Sequence, residues 1–78
     1  MKEKCSLDKL PKGTRAIVQS VNCADNIKNR IYDFGIMKDC VIIPLFKSPF
    51  GDPRAYLVKN AVVALRNSDC KKIEVIPV

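Results

Sequence analysis

Seventy-eight residues carry 14 Lys plus Arg against 8 Asp plus Glu, a formal charge of +6, with 47% hydrophobic positions, 28% charged, 3 Gly and 5 Pro. That length holds one core, read as a single domain over residues 1–78, and the composition excludes disordered and collagen-like chains. There is no histidine, which removes Ser-His, Cys-His and His-metal chemistry together.

In chain order, Ser6-Leu7-Asp8-Lys9-Leu10 reads as a short helical turn stopped by Pro11-Lys12-Gly13. Thr14–Val21 is dense in β-branched residues and reads as a strand, with its two faces unsorted. Asn22 to Asp25 supplies capping residues, and Ile27, Ile31 and Phe34 then recur at i, i+4 and i+7, the period of a helix face. Gly35 follows where a left-handed C′ residue ends a helix, and Ile36 is placed to pack back on the last turn. From Met37 onward the pattern is β: residues 40–47, 54–59, 62–66 and 72–78. Ser48 to Pro53 must be a loop because its two prolines cannot donate ladder hydrogen bonds. Lys59-Asn60-Ala61 reads as a hairpin in which Asn60 takes the positive φ, and Asn67-Ser68-Asp69 as one helical turn. Tyr56, Val58, Val63 and Leu65 form the inward face at period two. Five short strands with tight connections avoid long exposed edges by closing into a small, partly open barrel.

The basic residues run from Lys2 to Lys72 with acids interspersed, which reads first as a solvated surface and second as attraction to an acidic partner or a nucleic acid. Cys5, Cys23, Cys40 and Cys70 contain no C-x-x-C pair, so at least three of them are expected to be small buried hydrophobes in a reducing cytosol. Met1-Lys2-Glu3-Lys4-Cys5 leads into a polar stretch rather than an apolar leader, and the uncharged run Cys40 to Phe46 is too short to span a bilayer. The residues present no catalytic constellation, no Gly-rich phosphate loop and no spaced set of metal ligands.

Four segments carry a resemblance. Leu10-Pro11-Lys12-Gly13, Arg30-Ile31-Tyr32-Asp33-Phe34-Gly35-Ile36, Pro49-Phe50-Gly51-Asp52-Pro53 and Val63-Ala64-Leu65-Arg66 occur in order and at the spacing of the FeoA family, which the chain resembles over nearly its whole length. It departs from the family pattern at Lys12, between Pro11 and Gly13, and at Asp39 and Asn60, where the family often has Gly. The resemblance implies an SH3-like barrel and a cytoplasmic, non-enzymatic accessory of bacterial ferrous iron uptake. Its implied protein partner is the FeoB-type transporter, whose GTP-hydrolysing part would recruit it to the inner face of the membrane.

The expected partner-binding residues are Arg30, Asp33, Pro49, Phe50, Gly51, Asp52, Pro53 and Arg66, with no catalytic residue, metal ligand or cofactor. For the loop, the choice is between an aromatic anchor presented by rigid prolines and a Phe50 folded over the barrel mouth. Arg30 and Asp33 either pair at i,i+3 or face the partner, and Arg66 either ties down loop carbonyls or meets a carboxylate. No nucleic-acid binding and no membrane insertion are expected, and weak self-association stays open. The same barrel is appended to diphtheria-toxin-repressor-type metal regulators, which provides one alternative reading; a small basic nucleic-acid-binding barrel is another. Peptide recognition of the SH3 type is disfavoured by the lack of Trp.

Overall fold

The computed structural model describes residues 3–78. Its elements are β1 (Cys5–Ser6), a 3-10 turn (Leu7–Lys9), β2 (Ala16–Val21), α1 (Asp25–Asp33), β3 (Val41–Lys47), β4 (Arg54–Val58), β5 (Ala61–Leu65), α2 (Asn67–Cys70) and β6 (Ile73–Pro77). The strands form one antiparallel sheet in the order β1-β6-β2-β3-β4-β5. The sheet therefore has six strands rather than the expected five. The additional strand, β1, sets Cys5 opposite Val75 and Ser6 opposite Glu74. Two residues are too few to show a period, so only pairing with β6 defines this strand. The helical turn expected from Ser6 is correspondingly shorter.

Two β-bulges curve the sheet. In β2 the register with β6 shifts between Val18 and Ser20, which reverses the inward parity and lets Ala16, Val18 and Val21 all reach the core. This is why the two faces of that segment look unsorted in the sequence. In β3 the shift falls between Pro44 and Phe46, and the Pro44 carbonyl accepts a hydrogen bond from Gly13 N at 2.8 Å. A proline in a strand is tolerated at such a break in the ladder.

The core collects Ala16, Val18, Ile42, Tyr56, Val58, Ile73 and Val75 from the sheet, closed at one end by Leu7 and Leu10 and along one side by Ile31 and Ile36. Val63, expected fully inside, is half-buried at the core margin. The helix ends as the sequence indicates. Gly35 takes φ +89, Ile36 N donates to Ile31 O at 3.2 Å and Gly35 N donates to Tyr32 O at 2.9 Å. These are the two bonds of a Schellman stop, and the buried Ile36 and Ile31 supply its apolar contact. Phe34 lines the same face as Ile27 and Ile31 but stays 39% exposed at its rim.

Lys59 (φ +50) and Asn60 (φ +67) make the two-residue β4–β5 turn, and Asp39 (φ +73) turns the chain into β3. Asn and Asp accept the left-handed region better than other non-glycine residues, which accommodates the departures at 39 and 60. Cys40 and Cys70 are buried, whereas Cys5 and Cys23 are half-buried against the core, so burial holds for two of the four rather than three. No helix among the described residues is long and apolar enough to cross a membrane.

Candidate functional site

Between β3 and β4 the chain builds a stiff projection. Gly51 N donates to Ser48 O at 2.8 Å and Ser48 N to Pro53 O at 3.1 Å, and the Asp52-Pro53 peptide is cis. From the start of α2, just past the neighbouring strand β5, Asn67 N donates to Asp52 Oδ1 at 3.0 Å and Asn67 Nδ2 donates to Gly51 O at 3.1 Å. The loop is thus tied down at Ser48, Gly51, Asp52 and Pro53, while Phe50 at its apex is 95% exposed. Phe50 does not fold over the barrel mouth. The bracing role considered for Arg66 is performed by its neighbour Asn67, at the start of α2.

Arg66 is exposed and lines a cleft of about 110 Å3 between α1 and the end of β5, with Arg30 and Phe34 on the helix side and Asp69 below. The tertiary structure therefore unites Arg30 and Arg66, which are 36 residues apart in the chain. Because Arg66 and Asn67 are consecutive, the cleft adjoins the brace of the Phe50 loop. Asp33 is exposed on α1 outside this cleft.

Two of the thiols, Cys23 and Cys70, are held in their protonated form. Burial, followed by the Asp69 carboxylate, pushes the Cys23 thiol up, and its Sγ lies 3.7 Å from the Asp69 carbonyl oxygen to which it donates. Burial pushes the Cys70 thiol up to about 11. Since the thiolate is the nucleophile and the metal ligand, both groups stay in their inert form near neutral pH. Among the described residues, no group of three Cys, Asp or Glu side chains is close enough to hold a metal ion.

One residue escaped the sequence reading. Arg54, at the start of β4, is 4% exposed, with its guanidinium carbon 5.6 Å from the Tyr56 ring centroid. Its signal was available, since residues 54, 56 and 58 share one strand face and the latter two are core. Burial also pushes the Tyr56 phenol up.

A family model for the FeoA domain matches residues 5–77. The chain belongs to the FeoA family. A FeoA protein from Chlorobium tepidum is 26% identical with a TM-score of 0.88, the match covering 94% of this chain and 70% of that one. A FeoA from Stenotrophomonas maltophilia is 32% identical with a TM-score of 0.77, covering 90% of this chain and 87% of that one. That protein was solved with zinc and is described as a procaryotic SH3-domain protein and candidate activating factor for ferrous iron transport. A manganese-dependent transcriptional repressor, 19% identical, shares the fold at a TM-score of 0.86 over the whole of this chain and 44% of its own length. No curated protein sequence matches the chain. This FeoA chain thus has an SH3-like fold, mainly antiparallel β with short helices.

Proposed function

We infer that this FeoA chain is a non-enzymatic accessory of bacterial ferrous iron uptake that docks on the cytoplasmic GTP-hydrolysing region of a FeoB-type transporter and modulates its assembly or activity. The match to the FeoA domain over residues 5–77 carries this reading, and the S. maltophilia relative's description as a candidate activating factor for ferrous iron transport supports it. Phe50 is the proposed anchor. Pro49, Gly51, Asp52 and Pro53 hold the loop in shape before contact, so little ordering entropy is lost on binding. Arg30 and Arg66 in the adjoining cleft offer guanidinium forks to partner carboxylates, with Asp33 on the same helix meeting a cation at the margin. An exposed aromatic ringed by polar groups has the makeup of an interface hot spot. The chain acts from the cytoplasm, reaching the inner membrane face through its partner.

The test is titration of the chain against the cognate transporter, full length and in membranes. Saturable binding weakened at least about tenfold by Phe50→Ala, roughly 1.4 kcal/mol, is expected. No interaction with the intact transporter overturns the reading.

The fold shared with the manganese-dependent repressor favours a second reading, an interaction domain of a metal-dependent regulator. Association with a DNA-binding partner chain in place of a transporter would establish it.

A further inference from the structure

We propose that the mouth of the barrel is a phosphate-binding pocket, in which Arg54 and Asp8 take opposite ends of one protonated oxyanion. The pocket has a volume of about 370 Å3 and lies between the 3-10 turn, the end of β3 and the start of β4. Its charged lining is Lys9, Lys12, Lys47 and Arg54 against the single acid Asp8, four positive groups to one negative.

Two polar atoms here lack partners. Arg54 Nε and Asp8 Oδ1 are both buried without a hydrogen bond. A buried donor or acceptor left unmade is costly, more so on a charged group, and in native proteins it usually marks an absent water or ion. The Tyr56 ring centroid lies 5.6 Å from the guanidinium carbon, and the Tyr56 hydroxyl, itself buried without a hydrogen bond, does not take up the Nε–H. Arg54 and Asp8 line the same cavity, so they share one neighbourhood.

The ligand chemistry follows from the two orphans. Arg54 Nε requires an acceptor, and the lysines around it select an anion. Asp8 Oδ1 requires a donor, which a fully ionised oxyanion lacks. Inorganic phosphate near neutral pH keeps an O–H beside its anionic oxygens and satisfies both. Sulfate matches phosphate in shape and offers no proton, so it leaves Asp8 unpaired and adds like-charge repulsion. A site that hydrogen-bonds a ligand O–H rejects the isostere lacking it. The pocket differs from a Gly-rich phosphate loop in that side chains, not backbone amides, do the binding. The proposal stands apart from the transporter reading and involves none of its anchor residues.

The test follows amide and Arg54 Nε–H signals of the full chain during titration with sodium phosphate, sodium sulfate and sodium chloride at matched ionic strength. Saturable shifts centred on Lys9, Lys47 and Arg54 are expected for phosphate, with sulfate weaker by at least about tenfold. Replacing the exposed Lys9, Lys12 and Lys47 by Ser leaves the core intact and should lower phosphate affinity about tenfold or more. Arg54→Met should abolish saturation, and Asp8→Asn should bring phosphate and sulfate close to equal affinity. A glycerol phosphate arm, run beside inorganic phosphate at pH 6 where about half of the monoester keeps its phosphate proton, separates the two sources of the same chemistry: tighter binding than inorganic phosphate assigns a phosphomonoester, weaker binding assigns the free ion. Equal responses to all three salts, undiminished binding in the triple lysine variant, or discrimination that survives Asp8→Asn would each overturn the proposal.

Discussion

The Phe50 loop and the Arg54 pocket are adjacent in the chain and are built in opposite ways. In the loop, Ser48, Asp52 and Asn67 tie down the backbone, the neutral Ser48 hydroxyl is the one buried side-chain atom without a partner, and the apolar residue is left outside. In the pocket, the apolar frame is complete and charged or polar atoms are left inside without partners. Exposed apolar surface on a stiff frame costs the free protein little and is suited to a protein surface. Unsatisfied buried polar atoms cost stability in the free protein and are suited to a small polar ligand. The two regions therefore differ in what binding must supply: shape at the loop, hydrogen bonds at the pocket.

The largest expected effect tests how closed the core is around Cys70. Burial raises the Cys70 thiol from 9.0 to about 11, with the Tyr56 side chain and Arg54 opposing the rise and Asp8 and Asp69 adding to it. An acid whose folded pKa lies above its unfolded value keeps its proton after the unfolded chain has lost it. Stability is then complete below about pH 9 and falls as pH climbs towards 11, by about 2 kcal/mol. Urea unfolding under reducing conditions at pH 8 and pH 10.5 should show this loss, and Cys70→Ala should remove most of it. Titration of Tyr56 acts in the same direction at still higher pH, because burial raises it too.

Next in size is Arg54→Met. Exchanging a buried, incompletely paired charge for an apolar side chain should stabilise the free protein by about 1–2 kcal/mol in phosphate-free buffer, read as a higher urea midpoint at unchanged slope. A destabilised variant would mean that the guanidinium is already satisfied. Asp52→Ala removes the acceptor of the Asn67 amide and should cost about 1 kcal/mol, with faster amide exchange at Gly51. Smallest of all is Phe50→Ala, which should move stability by under about 0.5 kcal/mol because the ring is 95% exposed. A larger loss would show that Phe50 serves the fold, and the contrast between the two regions would fail.

Much of this molecule was legible locally. The Schellman stop follows from Gly35 between an i, i+4 apolar pair and Ile36, and the loop from two prolines bracketing a glycine. The hairpin at Lys59-Asn60 was readable because Asn tolerates positive φ. These features depend on neighbours within a few residues, so the chain encodes them without reference to the rest of the fold.

The features left to the tertiary structure all join distant segments. Cys5–Ser6 is a strand only because β6 lies beside it. The bulge in β2, not the residue pattern, decides which of Val18, Ser20 and Val21 face inward. The outward position of Phe50 depends on a brace from Asn67, and the meeting of Arg30 with Arg66 depends on α1 packing near the end of β5. By itself the sequence determined the family, the mainly β class, the helix stop and the turns, because short-range sterics and hydrogen bonding specify them. Only the tertiary structure decided the sixth strand, the exposed aromatic and the buried arginine, because burial and long-range pairing belong to the assembled barrel and to no single segment.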